Sequence, residues 1–159
     1  MTKNTRTEFK TAPFPQGLFT FFFVNAAFMS GLIMINALLV LYLTRGLHVH
    51  VKHAYNIYAA FGALFYSSSL LGGYLGGRHD HKTAVIFGGL LAGGGSFFIT
   101  LPHVEMIFLG LSCFIVGSGF MIPNINCLTG KLFAKNDPLR DGGFTVAYIG
   151  TNVGSFVTA

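Results

Sequence analysis

The chain has 159 residues, of which 52% are apolar and 9% charged, with 21 Gly, 18 Phe and no Trp. A soluble globular domain carries roughly a quarter charged residues and a disordered chain is poor in apolar ones, so both classes are excluded, as is collagen by the lack of a three-residue glycine period. The net charge is +5, but the bases sit between apolar runs, where they report membrane topology and not a nucleic-acid partner.

The first ten residues are polar, and Pro13 and Pro15 close an N-terminal segment, 1–16, expected to be cytoplasmic. The run 17–44 that follows carries no charge and is longer than the roughly 7–15 apolar residues of a signal peptide. Further apolar runs cover about 54–77, 83–101 and 104–128, and a fifth, cut short, covers 143–159. A spanning helix needs ~20 apolar residues, and runs without strand-like alternation predict helices and not barrel strands. The expected fold is therefore all-α: a polytopic transmembrane bundle of four helices plus a truncated fifth. Lys3, Arg6, Lys10, Arg78, Lys82, Lys131, Lys135 and Arg140 fall on one side, and Arg45 and Lys52 on the other. This bias predicts a cytoplasmic N-terminus in a multi-pass protein of the plasma (inner) membrane.

No acid, base or histidine lies in the clear interior of the runs; Glu105 sits only at a mouth. The interior polar residues are Asn25, Asn36, Asn56, Tyr66, Ser67, Ser68, Ser69, Asn124, Asn126 and Asn152. They serve either as interhelical hydrogen-bonding groups or as substrate contacts. Glycines spaced by four, Gly72 with Gly76, Gly73 with Gly77 and Gly89 with Gly93, predict close helix contacts. Pro123 removes a backbone donor and predicts a bend at Gly117-Ser118-Gly119, beside Asn124.

Catalytic and metal chemistry find little support. Cys113 and Cys127 stand ~21 Å apart along one helix, too far to bridge and too few for zinc. His79 with His81, and His48 with His50, have ligand chemistry but no further ligands nearby, and read as solvated loop histidines. No nucleophile-base set and no phosphate loop appears, so neither an enzyme nor a bound cofactor is expected.

The segment Gly73-Tyr-Leu-Gly-Gly77-Arg78-His-Asp-His-Lys82 resembles the loop motif between spans two and three of the major facilitator superfamily, G-x-x-x-D-R-x-G-R-K. It keeps the first Gly, the Arg and the final Lys; Gly77, Asp80 and His81 depart from the pattern. Phe14-Pro-Gln-Gly-Leu-Phe19, Leu39-Val-Leu-Tyr-Leu43, Ala54-Tyr-Asn-Ile-Tyr-Ala-Ala-Phe61 and Gly117-Ser-Gly-Phe-Met-Ile-Pro-Asn124 are similar, in order, to one branch, the proton-dependent oligopeptide transporter family. So are Gly130-Lys-Leu-Phe133, Asp137-Pro-Leu-Arg-Asp-Gly-Gly-Phe-Thr145 and Tyr148-Ile-Gly-Thr-Asn-Val-Gly154.

The resemblance implies the N-terminal portion of a di-/tripeptide permease working by alternating access, with membrane lipid around it and the remaining half of the transporter bundle as its partner. It implies cavity-lining roles for Tyr66, Asn124 and Asn152. The family's proton-coupling residues are absent: its E-x-x-E-R positions in span one hold Asn25, Phe28 and Met29, its next Arg is Asn36, and its Lys before Pro-Asn in span four is Ile122. Acids and basic partners are lost together, which leaves no unpaired charge in lipid. A carrier altered in this way is expected to follow the substrate gradient and ignore a pH step. The alternative is a non-transporting remnant or a small oligomeric membrane protein.

Overall fold

The computed structural model describes residues 15–158, and the expected N-terminal segment 1–16 lies almost wholly outside them. Five helices follow in order: α1 (Gln16–Leu41), α2 (Val51–Arg78), α3 (His81–Ile99), α4 (Val104–Lys131) and α5 (Arg140–Thr158). A wide π-type turn, Tyr42–Gly46, extends α1, and no strand occurs among the described residues.

The connections are fixed by local hydrogen bonds. After the wide turn, the Val49 N–H donates to the Leu43 carbonyl at 2.9 Å, and His48 takes a left-handed backbone at φ 54° to bring the chain round. His50 Nδ1 then accepts from the Lys52 N–H at 3.3 Å and caps α2. His48 and His50 thus serve the turn, and no three-residue metal-ligand group exists among the described residues. Asp80 caps α3 by accepting from the N–H and the hydroxyl of Thr83, each at 3.1 Å.

Three helices are long and apolar enough to cross a membrane: residues Gly17–Gly46, α3 and α4. The five-span expectation is met in helix number but not in uniform apolarity. α2 has the length, 28 residues, yet carries Tyr55, Asn56, Tyr58, Ser67, Ser68, Ser69 and Tyr74. α5 likewise carries Thr145, Tyr148, Thr151 and Asn152. A span whose polar groups turn toward a cavity or a neighbouring helix keeps its length but loses mean hydropathy.

α4 is the central helix: half of its most apolar window (50%) is buried, against 17% for the α1 window and 22% for α3. α3 and α2 pack on opposite flanks of it, and α5 packs mainly on α1. The α3–α4 contact is made by Gly88, Ala92 and Gly95 against Gly110 and Gly117. A methyl group built on Gly95 would stand 2.6 Å from the Gly110 carbonyl oxygen, and one on Gly117 2.5 Å from that of Gly88. In lipid, where there is little hydrophobic drive between helices, this close backbone approach supplies the dispersion energy that holds them. The glycine expectation is corrected here. Gly72 and Gly76 make tight contacts with α4, and Gly73 touches Pro123, but Gly89 and Gly93 meet nothing within 4 Å.

α4 runs through Pro123 as one helix, with the segment expected to bend, Gly117–Gly119, inside it. The Gly119 carbonyl, deprived of its donor by the proline, lies against Gly72 of α2. Ser68 on α2 donates across the contact to the Ile115 carbonyl at 2.9 Å. An aromatic ladder completes the core: Phe28 stacks on Phe114 (centroids 5.7 Å, 5° between planes), and Phe114 on Phe61 at 6.4 Å.

Candidate functional site

α5 lies against α1 through two glycines one turn apart. A methyl on Gly150 would stand 2.5 Å from the Phe22 carbonyl oxygen, and one on Gly154 would overlap that of Ala26. Ser30 Oγ and Thr158 Oγ1 hydrogen-bond at the end of the same seam. This docking sets Thr145, Tyr148 and Thr151 beside Asn25, and α4 contributes Asn126. Together they line an open cleft of about 540 Å³. The cleft offers carboxamides, hydroxyls and an aromatic face, and among the described residues no carboxylate, imidazole or amine lines it. Such a surface recognises hydrogen-bonding groups without exchanging protons near neutral pH.

The positions at which the resemblance implies coupling residues are mostly part of the packing. Phe28 belongs to the aromatic ladder, and Ile122 packs against the main core. Met29 is half-buried on α1. The Asn36 side chain donates to the Leu32 carbonyl of its own helix at 2.8 Å. Of this set only Asn25 faces the cleft.

The three residues expected to line a cavity part company. Tyr66 is 76% exposed on α2, with its ring edge-on to Phe65. Asn152 is exposed on α5, where its amide donates to the Tyr148 carbonyl at 3.3 Å. Asn124 is 0% exposed and faces no opening. Its Nδ2 donates to the Gly72 carbonyl at 2.9 Å and to the Phe120 carbonyl at 2.7 Å, while its Oδ1 meets His81 Nδ1 at 2.6 Å. The cavity-lining expectation for Asn124 is therefore replaced by a tie among α2, α3 and α4. The reading of His81 as a solvated loop histidine is corrected as well: it is the first residue of α3, half-buried, and part of that tie.

The loop motif surrounds this tie. Gly73 lies 3.3 Å from Pro123 Cβ, measured from the position of an added methyl, and Gly77 3.9 Å from the His81 ring. Arg78 and Lys82 are exposed on either side. Hydrogen bonds from the Thr83 N–H and hydroxyl hold the Asp80 carboxyl below the usual carboxylate range.

Sequence reading did not single out Thr145, Tyr148 and Thr151 as site residues, although their three-residue spacing marks one helix face. The pairing of His81 with Asn124 has no such signal, because the residues are 43 positions apart.

Helices packed around α4, with a cleft open on one flank, define a helical membrane bundle. The POT family (PTR2) profile matches residues 82–159. The chain is 32% identical over 150 residues to an uncharacterized transporter, YclF, of Bacillus subtilis, covering 90% of this chain and 30% of that protein. It is 33% identical over 114 residues to a di-/tripeptide transporter of Lactobacillus helveticus, covering 70% of this chain and 23% of the relative. A crystal structure of a peptide transporter POT in complex with sulfate superposes with a TM-score of 0.86 at 32% identity, over 91% of this chain and 31% of that one. A POT family transporter in complex with 5-aminolevulinic acid gives 0.86 at 30% identity over the same shares, 91% and 31%. Residues 82–159 are thus similar to the POT family, and the chain spans about 30% of the length of the first of these relatives.

Proposed function

We propose that these residues form the N-terminal portion of a secondary transporter for di-/tripeptide-like substrates, working by alternating access between this bundle and a second one. The observation that carries the reading is the agreement with solved peptide transporters over 91% of the chain at a TM-score of 0.86. The cleft between α1, α4 and α5 supplies one wall of the substrate path, with Asn25, Tyr148 and Thr151 as contacts and the exposed Tyr66 and Asn152 as further candidates. Loops carrying Arg78, Lys82, Lys131 and Arg140 face the cytoplasm, as does the N-terminus, in a plasma (inner) membrane.

Proton coupling does not run through this half. Among the described residues no carboxylate lines the cleft, and Phe28 and Ile122 are part of the packing. The test is uptake of labelled dialanine by the full-length protein in liposomes, with and without an imposed pH gradient. Saturable uptake that stops at the external concentration and ignores the pH step is the expected result. No saturable uptake would overturn the transport reading, and proton-driven accumulation would overturn the uncoupled one.

A further inference from the structure

The turn between α1 and α2 is strained at one residue and clamped at two others. His48 holds a left-handed backbone at φ 54°, which a residue with a Cβ adopts only where neighbouring contacts enforce it. On one side Leu43, 1% exposed, is packed in the core, and its carbonyl accepts from the Val49 N–H at 2.9 Å. On the other side the clamp is His50. Its carbonyl accepts from the His53 N–H at 2.9 Å and the Ala54 N–H at 3.1 Å, and its Nδ1 accepts from the Lys52 N–H at 3.3 Å. One residue thus satisfies three successive N–H groups at the start of α2.

A cap of this kind sets a condition on the ring. A backbone N–H can only donate, so Nδ1 must keep its lone pair and the ring proton must sit on Nε2. An asparagine or serine oxygen would accept at any pH, but imidazole does so only while neutral. A second proton goes to Nδ1, turns the acceptor into a donor and leaves the Lys52 N–H without its partner. The same proton places a cation at the N-terminal end of the α2 dipole, where positive charge is unfavourable.

The surroundings act in the same direction. Three histidines and two permanent cations, Arg45 and Lys52, fall within residues 45–53, with no acid among them. The His53 ring stands 6.1 Å from that of His50, edge-on, so two protonated rings repel. The flanking phenols of Tyr42 and Tyr55 bring no negative charge near neutral pH. Among the described residues at this end of the bundle, α3 closes without a titratable group, and the start of α4 adds His103 and one acid, Glu105. The bonds that shut the turn all lie within residues 43–54, so they do not depend on what the rest of a larger bundle covers.

We propose that the α1–α2 turn is a pH-sensitive hinge, shut by the neutral His50 ring and released when Nδ1 takes a proton. With the N-terminus cytoplasmic, as proposed above, the hinge lies on the external face. It sets how readily the turn opens and supplies no driving force for accumulation, so it stands or falls apart from the transport reading.

The experiment follows amide hydrogen exchange at residues 43–54 of the full-length protein in detergent, expressed as protection relative to the unstructured rate at each pH. Between about pH 8 and about pH 5 the wild-type protection should fall about fivefold, the contribution of one helix cap. His50→Asn, whose side-chain oxygen caps without titrating, should stay level, and His50→Ala should be low at both. Wild-type protection that does not change, or an Asn variant that falls as far as wild type, would overturn the proposal. Nitrogen NMR of ¹⁵N-histidine-labelled wild type gives a second test that needs no variant to fold. Where the ring is neutral, His50 should carry its proton on Nε2, and a proton on Nδ1 would overturn the cap.

Discussion

The carboxamide of Asn124 on α4 occupies the space in which a side chain at position 76 of α2 would begin, so Gly76 and Asn124 are fitted to each other. The fit lets one side chain bond across three helices, to the Gly72 carbonyl on α2, to His81 on α3 and to Phe120 on its own helix. Several predictions about stability, tautomer and pH rest on this and on the neighbouring contacts.

Gly76→Ala should force Asn124 to turn and give up its bonds. Overpacking of a tight contact costs about 1–3 kcal/mol. Thermal unfolding of the full-length protein in detergent should show a Tm lowered by several degrees. Gly89→Ala, where the added methyl meets nothing within 4 Å, should leave the Tm close to wild type. Equal Tm values for the two variants would contradict the packing described.

His81 should be held in one tautomer. The Asn124 amide nitrogen already donates to two carbonyls, so its oxygen must accept, and His81 must donate from Nδ1. Nitrogen NMR of ¹⁵N-histidine-labelled protein should report a proton on Nδ1 for this residue at a pH where the ring is neutral. Asn124→Leu should release the tautomer and lower stability by about 1–2 kcal/mol, the worth of one or two hydrogen bonds.

Asn25→Glu should bring pH sensitivity to uptake. Asn25 lies in a cleft where no carboxylate, imidazole or amine stands among the described lining residues, and a carboxyl there ionises in the range near ~4.3, or higher as the site desolvates it. Uptake by the variant should change as external pH crosses that range, while wild-type uptake stays flat. A flat profile for both would mean that the substrate path avoids Asn25.

Asp80 should contribute stability that depends on pH. Its carboxyl is held below the ordinary value by the Thr83 N–H and hydroxyl. A lowered folded-state value means the contribution is present above the ordinary carboxylate range and is lost as pH falls through the lowered one. Amide exchange at the start of α3, compared between wild type and Asp80→Asn at each pH, isolates the effect. The wild-type protection should fall in acid, and the Asn variant, which keeps the cap without the titration, should not follow.

The helices were legible because their signal is local. Long apolar runs such as 17–44, which has no charge, and 104–128, which has only Glu105 at its mouth, can hardly be anything else in a chain with 9% charged residues. α2 and α5 were harder to place by apolarity because their polar faces, Tyr66 and Ser69 on one and Tyr148 and Asn152 on the other, dilute it. The site was legible only in part. Asn25 and Asn152 stood out as polar residues in apolar runs, but the same reasoning also promoted Asn124, whose partners come from two other helices. A spacing rule sees one helix at a time, whereas burial depends on what docks against it. The glycine pairs show the same limit: Gly72 with Gly76 and Gly89 with Gly93 have identical spacing, and only the first meets α4.

The helices pack as two groups, α1 with α5, and α2 and α3 with α4, and the main core, with Phe28 of α1 on Phe114 of α4, joins the groups. Each group is locked internally by backbone contact at glycine, as at Gly150 against Phe22 and Gly95 against Gly110. The polar cleft lies between the groups, with Asn25 and Tyr148 on one and Asn126 on the other. Its width is therefore set by how the two groups of helices meet and not by any one helix.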